Sequence, residues 1–174
     1  MRKLAICGLL AMLVAELHAS TLLYLSLDDM IRKSTLIVRG RPQAGYAALH
    51  GSIIYTFYHV QVTETLKGSP AQILDIGVPG GAYNGVRQTF AGAPSLVNGK
   101  DYVLFLWTGK SGLTQVIGLS QGLFAVTKNA YGDPMVVRAA ASETMLNAYG
   151  QLVTDSDISL SLAALKARIQ ADSQ

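Results

Sequence analysis

Hydrophobic and polar residues alternate along the middle of the chain at a period of two. Ile54, Thr56, Tyr58, Val60 and Val62 share one face, and Tyr55, Phe57, His59, Gln61 and Thr63 the other. Beta-branched and aromatic residues fill nearly every position, as in a strand. Thr35–Arg41 reads as an earlier strand that Pro42 ends by lacking an N–H. Gln72–Val78 is a further strand, and Val86–Phe90 is extended. Tyr102–Trp107, YVLFLW, offers water no polar side and reads as a fully buried strand. Leu113–Gly118, Gly122–Lys128 and Met135–Arg138 complete the series.

Turn signals divide these runs: Leu66 to Pro70, Pro79-Gly80-Gly81, Asn98-Gly99, Gly109 to Gly112 and Asn129 to Pro134. Short strands at this spacing predict a small barrel or sandwich. Two helices flank it. Ser26-Leu27-Asp28-Asp29 fits a capping box ahead of Met30 and Ile31. Near the C-terminus, Ser159 or Ser161 caps a helix over about 159–171, with Leu162, Leu165 and Ile169 as its apolar stripe. Ala139–Tyr149 reads as a partly helical connector. The chain shows no internal repeat. The fold expected is mainly β: a small antiparallel OB-like β-barrel with a short N-terminal helix and a C-terminal helix.

Residues 1–19 stand apart. Met1-Arg2-Lys3 is a basic head, Leu4 to Ala15 is apolar, and a more polar exit ends on Ala19. That order is a secretory signal peptide with cleavage after Ala19. The apolar run is too short to span a bilayer, which takes ~20 residues. Residues 20–174 then form a single domain that is secreted or periplasmic, without stable membrane insertion after cleavage. The only cysteine, Cys7, leaves with the leader. A cysteine-free domain relies on its core and has no thiolate metal site, thiol nucleophile or redox pair. Loss of the leader lowers the formal net charge from +3 by one. No basic cluster points to nucleic acid.

Candidate chemistry is sparse. Among the 174 residues, the domain's histidines are His50, beside Gly51 in a hairpin loop, and His59, on the sheet surface. Asp155-Ser156-Asp157 lacks the remaining oxygens of a calcium loop and reads as helix-entry acid. Glu64 and Asp75 have no evident partner. Gly80-Gly81 is not followed by a helix, so these glycines are turn positions rather than a phosphate cradle, which needs a strand, a glycine loop and a helix start. The alternative is a surface loop presenting Tyr83 and Arg87. Tyr55, Phe57 and His59 share one face, the kind of platform on which bases stack, but near-neutral charge and secretion oppose that use. No catalytic, cofactor-binding or metal-binding residue is assigned. The expected function is a secreted, non-enzymatic binding or interaction module with a protein partner. An envelope assembly component and an enzyme with a site assembled from scattered residues are the alternatives.

An ordered set of segments carries a resemblance. It comprises the capped helix at Ser26, the Ile54-Tyr55-Thr56 strand ending in Leu66-Lys67-Gly68, Val78-Pro79-Gly80-Gly81, Gly92-Ala93-Pro94, Asn98-Gly99-Lys100, Val103 to Leu106 and Gly118 to Val126. Over roughly residues 26–128 the chain resembles secreted bacterial proteins of unknown role. These have a fold like that of the tissue inhibitors of metalloproteinases, a five-stranded OB-type barrel with flanking helices. The resemblance implies the fold and, through it, a protease-inhibitor-like module. The eukaryotic inhibitors bind the protease's zinc through an N-terminal cysteine. The domain has none, so no inhibitory residue carries over.

Overall fold

The computed structural model describes residues 21–69 and 72–172. The leader over 1–19, its cleavage point after Ala19, Cys7, and Pro70 of the first turn lie outside them. Strands make up 51% of the described residues, which also hold two α-helices, so the mainly β expectation holds. In chain order come β1 (Thr21–Leu23), α1 (Leu27–Lys33), β2 (Leu36–His50), β3 (Ile53–Lys67), β4 (Ile73–Pro79), β5 (Gly81–Tyr83), β6 (Val86–Gln88) and β7 (Tyr102–Thr108). Then follow β8 (Thr114–Val116), a 3₁₀ turn (Leu119–Gly122), β9 (Leu123–Lys128), β10 (Pro134–Arg138), β11 (Thr144–Leu146), β12 (Leu152–Val153), β13 (Ile158–Ser161) and α2 (Leu162–Asp172).

The largest sheet runs β13-β10-β9-β7-β2-β3-β4 with antiparallel neighbours, and β8 takes the part of β7's edge that β9 leaves. β7 is its central strand because its residues are apolar on both faces. Val103 and Phe105 join Met30, Ile31, Leu165 and Ile169 in a core beneath the two helices. Tyr102, Leu104 and Leu106 join Val38, Val60, Ile76 and Val78 in a second core on the opposite face. Trp107 departs from the expected full burial: it is 46% exposed at the end of the strand. The sheet curls until β4 and β8 lie against one another. A Cβ on Gly77 would stand 2.7 Å from Leu113 Cδ1. Among the described residues no ladder joins β4 to β8, so the sheet is not a closed barrel.

The α1 capping box forms as expected. Ser26 Oγ accepts the Asp29 N–H at 3.1 Å, and Asp29 Oδ2 accepts the Ser26 N–H at 3.3 Å. Asp28 accepts from Arg168 Nε at 2.7 Å, tying α1 to α2.

Four expectations need correction. Pro42 does not end β2, which continues to His50. Its carbonyl accepts the Gly99 N–H at 2.7 Å, on the side where the β7 pairing has already ended at Gly40, so no ladder partner misses the proline N–H. The 139–149 connector is not helical; it holds β11 and a turn. The last helix begins at Leu162 because Ile158–Ser161 is spent as β13, and Ser161 Oγ accepts the Ala164 N–H at 3.1 Å. A short repeat does exist: Asn-Ala-Tyr-Gly at 129–132 and again at 147–150. In each, the asparagine Oδ1 accepts the tyrosine N–H and the N–H two residues further on.

Candidate functional site

The outward face of β2, β3 and β4 concentrates aromatic rings. A two-residue turn, Gly51-Ser52, joins β2 to β3 and sets the register Tyr46↔Phe57, Ala48↔Tyr55 and His50↔Ile53. Gly51 has φ +63, the conformation this type of hairpin asks of its first turn residue. The strand period of two then commits Tyr55, Phe57 and His59 to the face away from Val60 and its core.

The rings form one continuous series. His50 meets Tyr55 edge-on with centroids 6.0 Å apart, and Tyr55 meets Phe57 at 6.1 Å. Phe57 stacks on Tyr46 at 5.4 Å and 21°, and Tyr46 meets His59 at 5.7 Å. These separations lie in the range where aromatic pairs attract beyond simple area burial. Tyr55 is buried, whereas Tyr46 is 50% exposed. Leu49, near the hairpin tip, is also exposed. Gly77 lies opposite Phe57 on β4, and a Cβ there would stand 3.4 Å from both Phe57 and Tyr55 and run into Leu113. The missing side chain gives the rings and Leu113 their seat.

One end of the series is polar. His59 lies opposite Asp75 across the β3–β4 ladder, and Nδ1 donates to Oδ1 at 2.5 Å. Asp75 therefore has a partner that its sequence neighbourhood does not reveal. Both side chains are about half exposed, so the pair sits on open sheet and not in a pocket. His50 lies at the other end of the series. Among the described residues no cluster of three or more His, Cys, Asp or Glu is placed to hold a metal ion.

The remaining candidates disperse. Glu64 pairs with Lys166 of α2 at 2.6 Å. Asp155 and Asp157 are not helix-entry acids. Asp155 takes a bidentate pair from Arg138 at 2.6 and 2.8 Å, and Asp157 accepts the Ala140 N–H at 2.7 Å. Gly80 and Gly81 have φ of +105 and +138 and reverse the chain into β5, which pairs with β6 across Asn84-Gly85. That hairpin is stitched to β3 by Gln88, whose Oε1 accepts the Ile54 N–H at 2.7 Å. It leaves Arg87 exposed and Tyr83 half-buried. Tyr46 is the ring that sequence reasoning misses: its flanks, Ala44, Gly45, Ala47 and Ala48, carry no alternation of large residues. Comparison with protein-family models, with curated proteins and with solved structures found no match to this chain.

Proposed function

We propose that this chain is a secreted, non-catalytic interaction module that receives a protein partner on the aromatic face of β2–β3–β4. The observation that carries the reading is the unbroken series His50, Tyr55, Phe57, Tyr46, His59, partly exposed and bordered by Leu49. Aromatic side chains are enriched at protein interfaces, where they bury large area at small entropic cost. The ring contacts hold this face in one arrangement before binding, which reduces the cost of ordering it.

Strand order supports an OB-like scaffold beneath the face. The succession β4-β3-β2-β7-β8, with β8 lying against β4, matches the order that strands take in an OB-type barrel. The scaffold agrees with the resemblance to inhibitor-like secreted bacterial proteins, and a protease is accordingly one class of partner. Secretion rests on the basic, apolar and small-residue order of residues 1–19.

The test is a pull-down from envelope and culture fluid, with the chain from Ser20 as bait beside Tyr46→Ala and Leu49→Ala. Both positions are half exposed, so the variants keep the fold. One dominant protein should be retained by the parent and fall by about ten-fold or more with Tyr46→Ala, as for an interface anchor. Capture indifferent to both variants would remove the assignment. So would a hydrolytic activity abolished by His59→Ala.

A further inference from the structure

A second feature lies away from the aromatic face. β1, the Gly118–Gln121 turn and the exposed end of β7 surround a cavity of about 530 Å³. That falls in the ~300–1,000 Å³ range of small-molecule sites. Leu22, Leu23, Leu25, Trp107, Ile117 and Leu119 line it, together with Lys33.

The wall is kept apolar by one buried side chain. Gln121 is 1% exposed. Its Oε1 accepts the Leu25 N–H at 2.9 Å, and its Nε2 donates to Leu23 O at 2.9 Å and Gly118 O at 3.3 Å. These backbone groups belong to residues that border the cavity, and Gln121, itself part of the lining, satisfies them. Polar groups left unpaired there would demand water.

The wall also holds strain. Leu119 has φ +58, directly after Gly118 at φ +61. A bulky side chain in the left-handed region is strained, because its Cβ crowds the following carbonyl oxygen. Such outliers cluster at ligand clamps and persist only where neighbouring bonds hold them. Here the bonds are Gln121 N–H to Gly118 O at 3.2 Å, Gly122 N–H to Ile117 O at 3.1 Å and Ser120 N–H to Gly92 O at 3.1 Å. Trp107 and Leu23, each about half exposed, form the lip. Lys33, the last residue of α1, is exposed and makes no ion pair among the described residues. Asp29, one turn earlier on α1, feels the Lys33 charge but is already held by Ser26 and Arg32. An apolar cavity with one cation at its wall complements a ligand with an apolar tail and a single negative head.

We infer that this cavity takes the tail of a single-chain anionic amphiphile of the fatty-acid class, with its carboxylate at Lys33. Trp107 is the only tryptophan in the chain, so its emission reports occupancy without a label. The purified protein is titrated with dodecanoate below its micelle concentration, and in parallel with dodecanol, dodecyltrimethylammonium and anionic phospholipid vesicles. Dodecanoate should give a saturable blue shift, and the cationic analogue should bind much more weakly. Leu23→Glu should abolish the response. Lys33→Glu, at an exposed position and checked for an unchanged circular-dichroism spectrum, should weaken dodecanoate by about five-fold, the upper range of one exposed ion pair, and narrow the gap between head groups. No saturable change with dodecanoate overturns the inference. Equal binding of all head groups, unaltered by Lys33→Glu, overturns the carboxylate assignment. A response to vesicles alone would make the lip a membrane contact and not a ligand site.

Discussion

Asp155→Ala puts the largest single demand on this fold. Arg138 is nearly fully buried, its side chain 4% exposed, and the Asp155 side chain is 1% exposed. The guanidinium spends Nη1 and Nη2 on the carboxylate and lies 5.9 Å from the Phe124 ring. Its Nε has no hydrogen-bond partner among the described residues. Asp155 Oδ2 also accepts the Ala141 N–H at 2.8 Å, so one carboxylate fastens the chain after β10 to the segment before β13. Truncating it strands a buried cation and an unpaired amide. Removing one partner of a buried pair costs ~3–5 kcal/mol. At ~2–4 °C per kcal/mol for a domain of this size, Tm should fall by about 6–20 °C. Urea melts followed by circular dichroism measure the loss directly. Adding Arg138→Met should recover much of it, because the desolvated charge leaves with the arginine. A loss under about 0.5 kcal/mol would refute the reasoning, since that is the size of an ordinary surface change.

The same carboxylate makes stability depend on pH. Burial raises the Asp155 pKa, but hydrogen bonds from Arg138 and from the Ala141 and Ser156 amides, with the Arg138 charge, outweigh it and hold the group below the ordinary aspartate value. The unfolded chain therefore binds this proton more readily than the folded one. The contribution is complete above the unfolded value of ~3.9 and is lost as pH falls through the lower folded value. Asp155→Asn should flatten the stability profile in that acid window and leave its shape near neutrality unchanged.

Two further predictions concern local geometry. Ser26→Ala should cost ~1 kcal/mol through the lost cap. It should also raise the Asp29 pKa, which the Ser26 hydroxyl is foremost in holding down; an NMR titration of the Asp29 side chain reads it. Gly45→Ala should destabilise by about 2 kcal/mol or more, because its Cβ would stand 2.3 Å from the Phe57 carbonyl oxygen of the facing strand; chemical denaturation against the parent measures it.

What the sequence disclosed follows the range over which each signal acts. Alternation in β3, the doubly apolar β7 and the Ser26 capping box are local, and each forms where the pattern puts it. Strand partners are not local. The pairing of His59 with Asp75 depends on the β3–β4 register, and that of Arg138 with Asp155 on how the connector folds back, so neither carboxylate announces its role. Pro42 misleads because the rule against proline in a ladder applies only on the side that has a neighbour. Asn84-Gly85 and Asn147 to Gly150 are hairpin-turn signals of the same kind as Asn129 to Gly132, but the strands beside them are only two or three residues long and carry no periodicity. Tyr46 becomes part of the aromatic face only through its position opposite Phe57.

β1 gives the molecule a chronology. Thr21–Leu23 pairs in parallel with Thr144–Leu146, and the Tyr24 N–H donates to Leu146 O at 2.8 Å. The two segments lie 123 residues apart, so the first is made well before its partner. Contacts of such sequence separation form late, because the intervening loop must close first. Leu22 and Leu23 therefore wait for their strand partner until the Thr144–Leu146 segment is in place. The cavity they wall is complete only once that pairing has formed, and a three-residue strand is a slender hold of the kind that opens locally at small cost.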